Sequence, residues 1–147
     1  MKCPFCRSNE TEVYNTRTTK FGNQIWRRRR CQSCHGAFTT YEAADLGFLR
    51  VVGADRHKTR YSRSVLFSGV YDAFTATAGK DATIDAVTDT VEAKILDLQR
   101  PELSSAEIAG IVLSTLKHFN TAAFLRYLAS HADLANGSQL KKELKKY

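Results

Sequence analysis

Apolar positions recur at two different periods along this chain, and the period changes near residue 44. Before that point they come in short alternating runs. Thr11-Glu12-Val13-Tyr14, the stretch Gln24 to Arg30 with Ile25 and Trp26, and Ala37-Phe38-Thr39-Thr40-Tyr41 predict three short strands. Lys20-Phe21-Gly22-Asn23 predicts a turn between the first two, because Gly and Asn accept positive φ. From Leu46 a further strand is expected over Phe48 to Val52, then a turn at Gly53-Ala54-Asp55 and a return strand from His57 to Tyr61.

The rest of the chain follows a helical period. Ser62 can cap a helix carrying Leu66, Val70 and Phe74. Ile84, Val87, Val91, Ile95 and Leu98 mark a second amphipathic helix, which Pro101 stops. Ser104-Ser105-Ala106-Glu107 has the capping-box pattern and opens a third, with Ile108, Ile111, Val112, Leu116 and Phe119. Asn120 can cap a fourth, burying Ala123, Phe124, Tyr127 and Leu128, and Ala135-Asn136-Gly137-Ser138 breaks it. Leu140 and Leu144 leave room for a loose helix at the end. The expected class is α+β: residues 1–43 as a small three-stranded domain, 46–137 as a hairpin with a four-helix bundle, and 138–147 as a basic tail on a solvated face.

Cysteine spacing gives the first domain its means of folding. Cys3-Pro4-Phe5-Cys6 and Cys31-Gln32-Ser33-Cys34 are two C-x-x-C knuckles, 24 residues apart, and they use all four cysteines. Two knuckles suit one closed tetrahedral Zn²⁺ site, of structural type because no coordination position stays open. Forty residues of strand bury little on their own, so metal would supply much of the folding energy. A pair of disulfides is the first alternative. It needs an oxidising compartment, whereas Met1 is followed by no charged-then-apolar leader and a reducing cytoplasm is expected. A redox C-x-x-C is the second, but it requires one motif at a strand-to-helix junction. His35 reads as a surface side chain, and three strands on two knuckles describe a zinc ribbon.

Charge then separates the two parts. The chain carries +7, and residues 1–40 hold eight basic side chains against Glu10 and Glu12, a net +6. The remainder is nearly balanced, fourteen against thirteen. Arg27-Arg28-Arg29-Arg30 runs unbroken into the second knuckle, so Arg27 and Arg29 point to one face of a strand and Arg28 and Arg30 to the other. Four adjacent guanidinium groups repel one another, and phosphates would relieve that repulsion. A solvated face is the plainer reading of such a run. Trp26 could stack on a base, but a lone Trp in so small a domain is expected in its core. His35, His57, His118 and His131 are scattered and no glycine-rich phosphate loop occurs, so an enzyme is not expected. No apolar run approaches the ~18 residues of a transmembrane helix.

Met1-Lys2-Cys3-Pro4-Phe5-Cys6, Asn15-Thr16-Arg17, Ile25-Trp26-Arg27-Arg28-Arg29-Arg30-Cys31 and Phe38-Thr39-Thr40-Tyr41-Glu42 together resemble the NrdR family of bacterial repressors of ribonucleotide reductase genes, with Ala37 where the family has Arg. Ser105-x-Glu107-Ile108 and Ala123-Phe124-Leu125-Arg126-Tyr127 extend the likeness to the third and fourth helices, and the register is lost after Tyr127. The resemblance implies Zn²⁺ on Cys3, Cys6, Cys31 and Cys34, and contacts from Arg17, Arg27, Arg28, Arg29 and Arg30 to double-stranded DNA at promoter operator boxes. It implies a second, ATP-cone domain that binds ATP or dATP and sets the state of a homo-oligomer, in the bacterial cytoplasm at the nucleoid. Val51-Val52 is kept, but Gly53 and Val65 stand where the family carries lysines. Arg50, Val51, Val52, Arg56, Lys58, Arg60 and Arg63 are the nucleotide-site candidates, with Arg56 and Lys58 as first substitutes. Two rival readings are an RNA-binding ribbon with a purely structural helical domain, and a zinc-held module whose arginines meet an acidic protein.

Overall fold

A computed structural model describes residues 1–19, 24–74, 80–131 and 137–147. The chain falls into two compact units, Met1–Asp45 and Leu46–Tyr147. Both strands and helices are present, giving the α+β class.

The first unit is an antiparallel sheet of β1 (Thr11–Thr18), β2 (Gln24–Cys31) and β3 (Ala37–Ala43), with β2 in the middle. β1 is longer than the apolar pattern of Thr11–Tyr14 predicts, because pairing with β2 continues out to Thr18↔Ile25. A bulge at Tyr14 shifts the register between Val13 and Asn15. The turn expected at Lys20–Asn23 lies outside the described residues. Apart from Cys3 and Cys31, no apolar residue of this unit is fully buried among the described residues. Trp26, expected in the core, is instead half-buried on the sheet.

The second unit opens with a 3₁₀ turn, Leu46–Phe48, which takes Phe48 out of the strand expected over Phe48 to Val52. Leu46 and Leu49 are both buried, and only a helical turn brings residues three apart to the same side; the Leu49 N–H donates to the Leu46 carbonyl at 2.9 Å. β4 (Arg50–Val52) pairs antiparallel with β5 (Lys58–Arg60) and parallel with β6 (Glu102–Ser104). β6 went unread in the sequence, since three residues behind a proline give no periodicity. Leu103 at its centre is 1% exposed and ties the sheet to the helical core.

Helices α1 (Arg63–Ala73), α2 (Lys80–Asp97), α3 (Ser105–Phe119) and α4 (Thr121–His131) supply that core, with Val70, Ile84, Val87, Val91, Ile95, Val112, Leu116 and Leu128 inside. Their ends follow local chemistry. Ser104 and Glu107 form the full reciprocal capping box, and Asn120 Oδ1 accepts from the Ala123 N–H at 2.9 Å. Ser62 occupies the N-cap position of α1, but its hydroxyl pairs with Ser64 at 2.8 Å and caps nothing. Leu98 and Phe119, read as core-facing, are exposed: Leu98 lies past the last residue of α2 and Phe119 ends α3. The break expected at 135–138 falls partly outside the described residues, and Gly137 and Ser138 begin α5 (Gly137–Leu144). Leu140 and Tyr147 pack against the core, so this segment is held to the second unit.

Candidate metal centre and basic sheet face

The two knuckles adopt the same backbone path. Cys3 N–H donates to the Ser8 carbonyl (2.8 Å) and Arg7 N–H to the Cys3 carbonyl (2.9 Å). Cys31 N–H donates to Gly36 and His35 N–H to Cys31, both at 3.0 Å. Arg7 and His35, each just after the second cysteine of its pair, take left-handed φ of 62° and 59°. His35 is exposed, as its sequence context predicts. Gly36 lies in close approach: a Cβ there would lie 2.5 Å from the Phe5 ring and 3.3 Å from Cys34 Sγ.

Four sulfurs converge between the knuckles, all within 4.8 Å of one another. Cys3 Sγ is 3.7 Å from Cys34 Sγ, and Cys6 Sγ is 3.6 Å from Cys31 Sγ. A tetrahedron with Zn–S bonds of ~2.3 Å has edges of about 3.8 Å, so the donor set and its spacing fit Zn²⁺. The ionisation chemistry agrees. Backbone N–H groups of Cys34 and Ser33 donate to the Cys31 sulfur and bring that thiol down to about 6. At Cys6 the Ser8 N–H also pulls downward, but the neighbouring sulfurs and desolvation outweigh it and the thiol rises to about 12. Four crowded thiols cannot all ionise alone, and a divalent cation resolves this by displacing their protons. Zinc bound there would be structural, holding β1, β2 and β3 to the knuckles.

Strand alternation and pairing sort the arginines onto two unlike faces. On one, Arg28 donates to Tyr14 Oη (3.2 Å) and Thr39 Oγ1 (2.9 Å), and the Arg30 guanidinium lies over the Tyr14 ring at 5.9 Å. Arg17 stands over Trp26 at 5.8 Å on the same face, and Tyr41 is the β3 neighbour of Trp26. Tyr14 and Tyr41 are 56% and 65% exposed. On the other face Arg27 is paired with Glu42 at 2.7 Å and Arg29 donates to Thr40 at 3.2 Å. One face thus offers three arginines among exposed aromatic rings, while the other has its leading charge compensated. Tyr14 and Tyr41 were missed as site candidates, and Trp26, weighed as a stacking residue but expected in the core, lies on the face of Arg28 and Arg30 as the period-two pattern requires.

Five nucleotide-site candidates of the second unit, Arg50, Val51, Val52, Lys58 and Arg60, share the β4–β5 hairpin, with Arg56 in its turn and Arg63 at the start of α1. Val51 and Arg60 line a cavity of about 340 Å³ with Ser62, Val65, Tyr127 and His131. Lys58 is engaged by Glu102 at 2.6 Å. Arg63 is held by Asp89 at 2.7 Å and by Glu92, which also accepts from Tyr61 Oη at 2.9 Å. Arg50 and Arg60 are cross-strand neighbours, and Arg56 sits in the turn with φ 64°. Arg50, Val52 and Arg56 do not line the cavity. Tyr127 and His131 were not foreseen, because α4 brings them there from distant sequence, and Ser62 was read only as a helix cap.

Residues 1–42 match the model of the NrdR-like transcriptional repressor N-terminal domain, a zinc ribbon. The chain is 36% identical over 127 residues to the transcriptional repressor NrdR of Acidovorax sp. (strain JS42), covering 86% of this chain and 85% of that one. It is 32% identical to NrdR of Polynucleobacter necessarius over 148 residues, 99% and 100% of the two chains. The Finegoldia magna NrdR is 29% identical over 146 residues, 99% and 97%. No helix among the described residues is long and apolar enough to cross a membrane. With its four-sulfur ribbon and full-length relatives, the chain belongs to the NrdR family of transcriptional repressors.

Proposed function

We propose that this protein represses ribonucleotide reductase genes by binding double-stranded DNA at promoter operator boxes through its zinc ribbon. The main support is the face that gathers Arg17, Arg28 and Arg30 around Tyr14, Trp26 and Tyr41. Guanidinium groups there can bind phosphates or the edges of guanine, and zinc fixes the strand that presents them. Arg27, compensated by Glu42, contributes less.

The second unit is the regulatory half of the proposal. An adenine nucleotide, ATP or dATP, enters the cavity between the hairpin, α1, α3 and α4, with Arg60 as its phosphate contact. Differential binding to two states of a homo-oligomer then changes DNA affinity. Lys58 and Arg63 take no first part in this, because carboxylates already hold them.

The test is binding of the zinc-loaded chain to the ribonucleotide reductase promoter of its own organism, with no nucleotide, ATP or dATP. Arg28→Ala with Arg30→Ala should abolish most binding and lower the salt slope by about 2. Arg27→Ala with Arg29→Ala should cost clearly less. Equal small losses, or no promoter preference, contradict the reading. A second reading, single-stranded RNA, draws on the exposed Tyr14 and Tyr41 on the arginine face, since aromatic platforms suit unstacked bases. Tighter, salt-dependent binding to RNA than to the promoter duplex would favour it.

A further inference from the structure

Tyr14 is the residue of β1 that the pairing with β2 leaves out: Val13 lies opposite Arg29 and Asn15 opposite Arg28. Plain alternation from Asn15 would turn Tyr14 toward the face of Arg27 and Arg29. The bulge re-aims it, and its side chain meets Arg28 and Arg30 instead. The two parts of that side chain do different things there. The phenol oxygen accepts from Arg28 Nε at 3.2 Å, and the Arg30 guanidinium stands over the ring at 5.9 Å. Thr39 Oγ1, on β3, accepts from Arg28 Nη1 at 2.9 Å. Arg28 is thus gripped from both neighbouring strands while it sits on the middle one. With these two donors engaged, one N–H on Nη1 and those on Nη2 remain among the described residues. They include the parallel pair at the end of the guanidinium, the set that meets two acceptors side by side.

We propose that Tyr14 is a positioning residue for duplex recognition: its hydroxyl holds Arg28, and its ring holds Arg30, in the poses that phosphates or guanine edges engage. This rests on the duplex-binding reading above and adds which residue sets the geometry of its arginines. Ordering a long, rotamer-rich side chain at an interface weakens binding, and a side chain that arrives already ordered avoids that loss. Tyr14 is 56% exposed, so burial in a core does not account for its place on this face.

Tyr14→Phe separates the two parts, because it removes the hydroxyl and keeps the ring, whereas Tyr14→Leu removes both. In the free, zinc-loaded chain, nitrogen relaxation at Arg28 Nε should report a rigid side chain. Tyr14→Phe should release it, with zinc content and the strand signal at parent values. Binding is then measured on the promoter duplex. Tyr14→Phe should raise the Kd about fivefold, in the range of one hydrogen bond, and Tyr14→Leu about tenfold or more. Neither variant changes the charge, so the salt slope should hold. The deciding measurement is the cycle with Arg28→Ala. In that background Tyr14→Phe should change the Kd by less than about 1.5-fold, because the hydroxyl acts only through Arg28. A full fivefold loss there would mean that Tyr14 touches DNA itself, and would overturn the proposal. So would an Arg28 side chain as rigid in Tyr14→Phe as in the parent, or zinc loss from that variant, which would make Tyr14 a residue of the ribbon's stability. If the parent binds no duplex, the duplex reading fails and this proposal with it; parent binding with additive losses overturns this proposal alone.

Discussion

Single atoms decide the behaviour of the ribbon. Cys6→Ser or Cys34→Ser leaves three thiolates at a site built for four, and the sheet of the first unit should unfold. Metal analysis of protein purified without chelator should give about one zinc per chain for the parent and much less for either variant. Gly36→Ala tests crowding. The added methyl would meet the Phe5 ring, and Phe5 is 66% exposed and free to turn away, but Cys34 Sγ is fixed by its role. Overpacking of this kind costs on the order of 1–3 kcal/mol, seen as weaker zinc retention against a chromophoric chelator. Phe5→Ala combined with Gly36→Ala should recover part of that loss. Arg63, a nucleotide-site candidate by residue type, ties the start of α1 to Asp89 and Glu92 on α2. Arg63→Ala should lower the urea midpoint of the second unit and leave nucleotide affinity within about threefold, because a partly buried pair broken on one side leaves an unmatched charge.

At the level of elements, caps and short strands carry the testable weight. The backbone N–H of Ser104, the Arg100 guanidinium and the Ser104 hydroxyl hold Glu107 down to about 2. Its folded value lies below its unfolded one of about 4.5, so the unfolded chain binds more protons between them. The stability it contributes is present above pH ~4.5 and is lost as pH falls toward ~2. Glu107→Gln should flatten this part of the acid denaturation curve, followed by helical circular dichroism. Ser104→Ala should cost about 1 kcal/mol at neutral pH. β6 is the larger lever despite its three residues. Leu103→Ala removes a fully buried side chain where the sheet meets the helices and should cost ~2–5 kcal/mol in chemical denaturation.

For the whole molecule, the two units have different sources of stability. Residues 1–45 have almost no buried apolar side chains beyond two cysteines, whereas residues 46–147 hold a continuous hydrophobic core. Strong chelation should therefore abolish DNA binding and the ribbon's strand signal while the helical signal stays within about 10% of its starting value. A concerted loss of both signals would mean that the second unit depends on the first.

The sequence by itself determined the elements whose cause is local. C-x-x-C spacing sets the knuckles, period-two alternation sorts Arg27 and Arg29 from Arg28 and Arg30, and Ser104 with Glu107 marks the start of a helix, since each signal lies within a few residues. The core stripes of α2, α3 and α4 were legible for the same reason, as Ile84, Val87, Val112 and Leu128 recur at the helical period. Only the tertiary structure decided which side chains separated by many residues meet. It turned Phe48 to Val52 into a turn and a strand, because Leu46 and Leu49 needed the same side. It added β6 through a parallel pairing that crosses half the unit. It drew Arg63 and Lys58 away into ion pairs with Glu92, Asp89 and Glu102. A hydrophobic period records which face of an element is buried; it holds no information about which distant carboxylate a long cationic side chain will find.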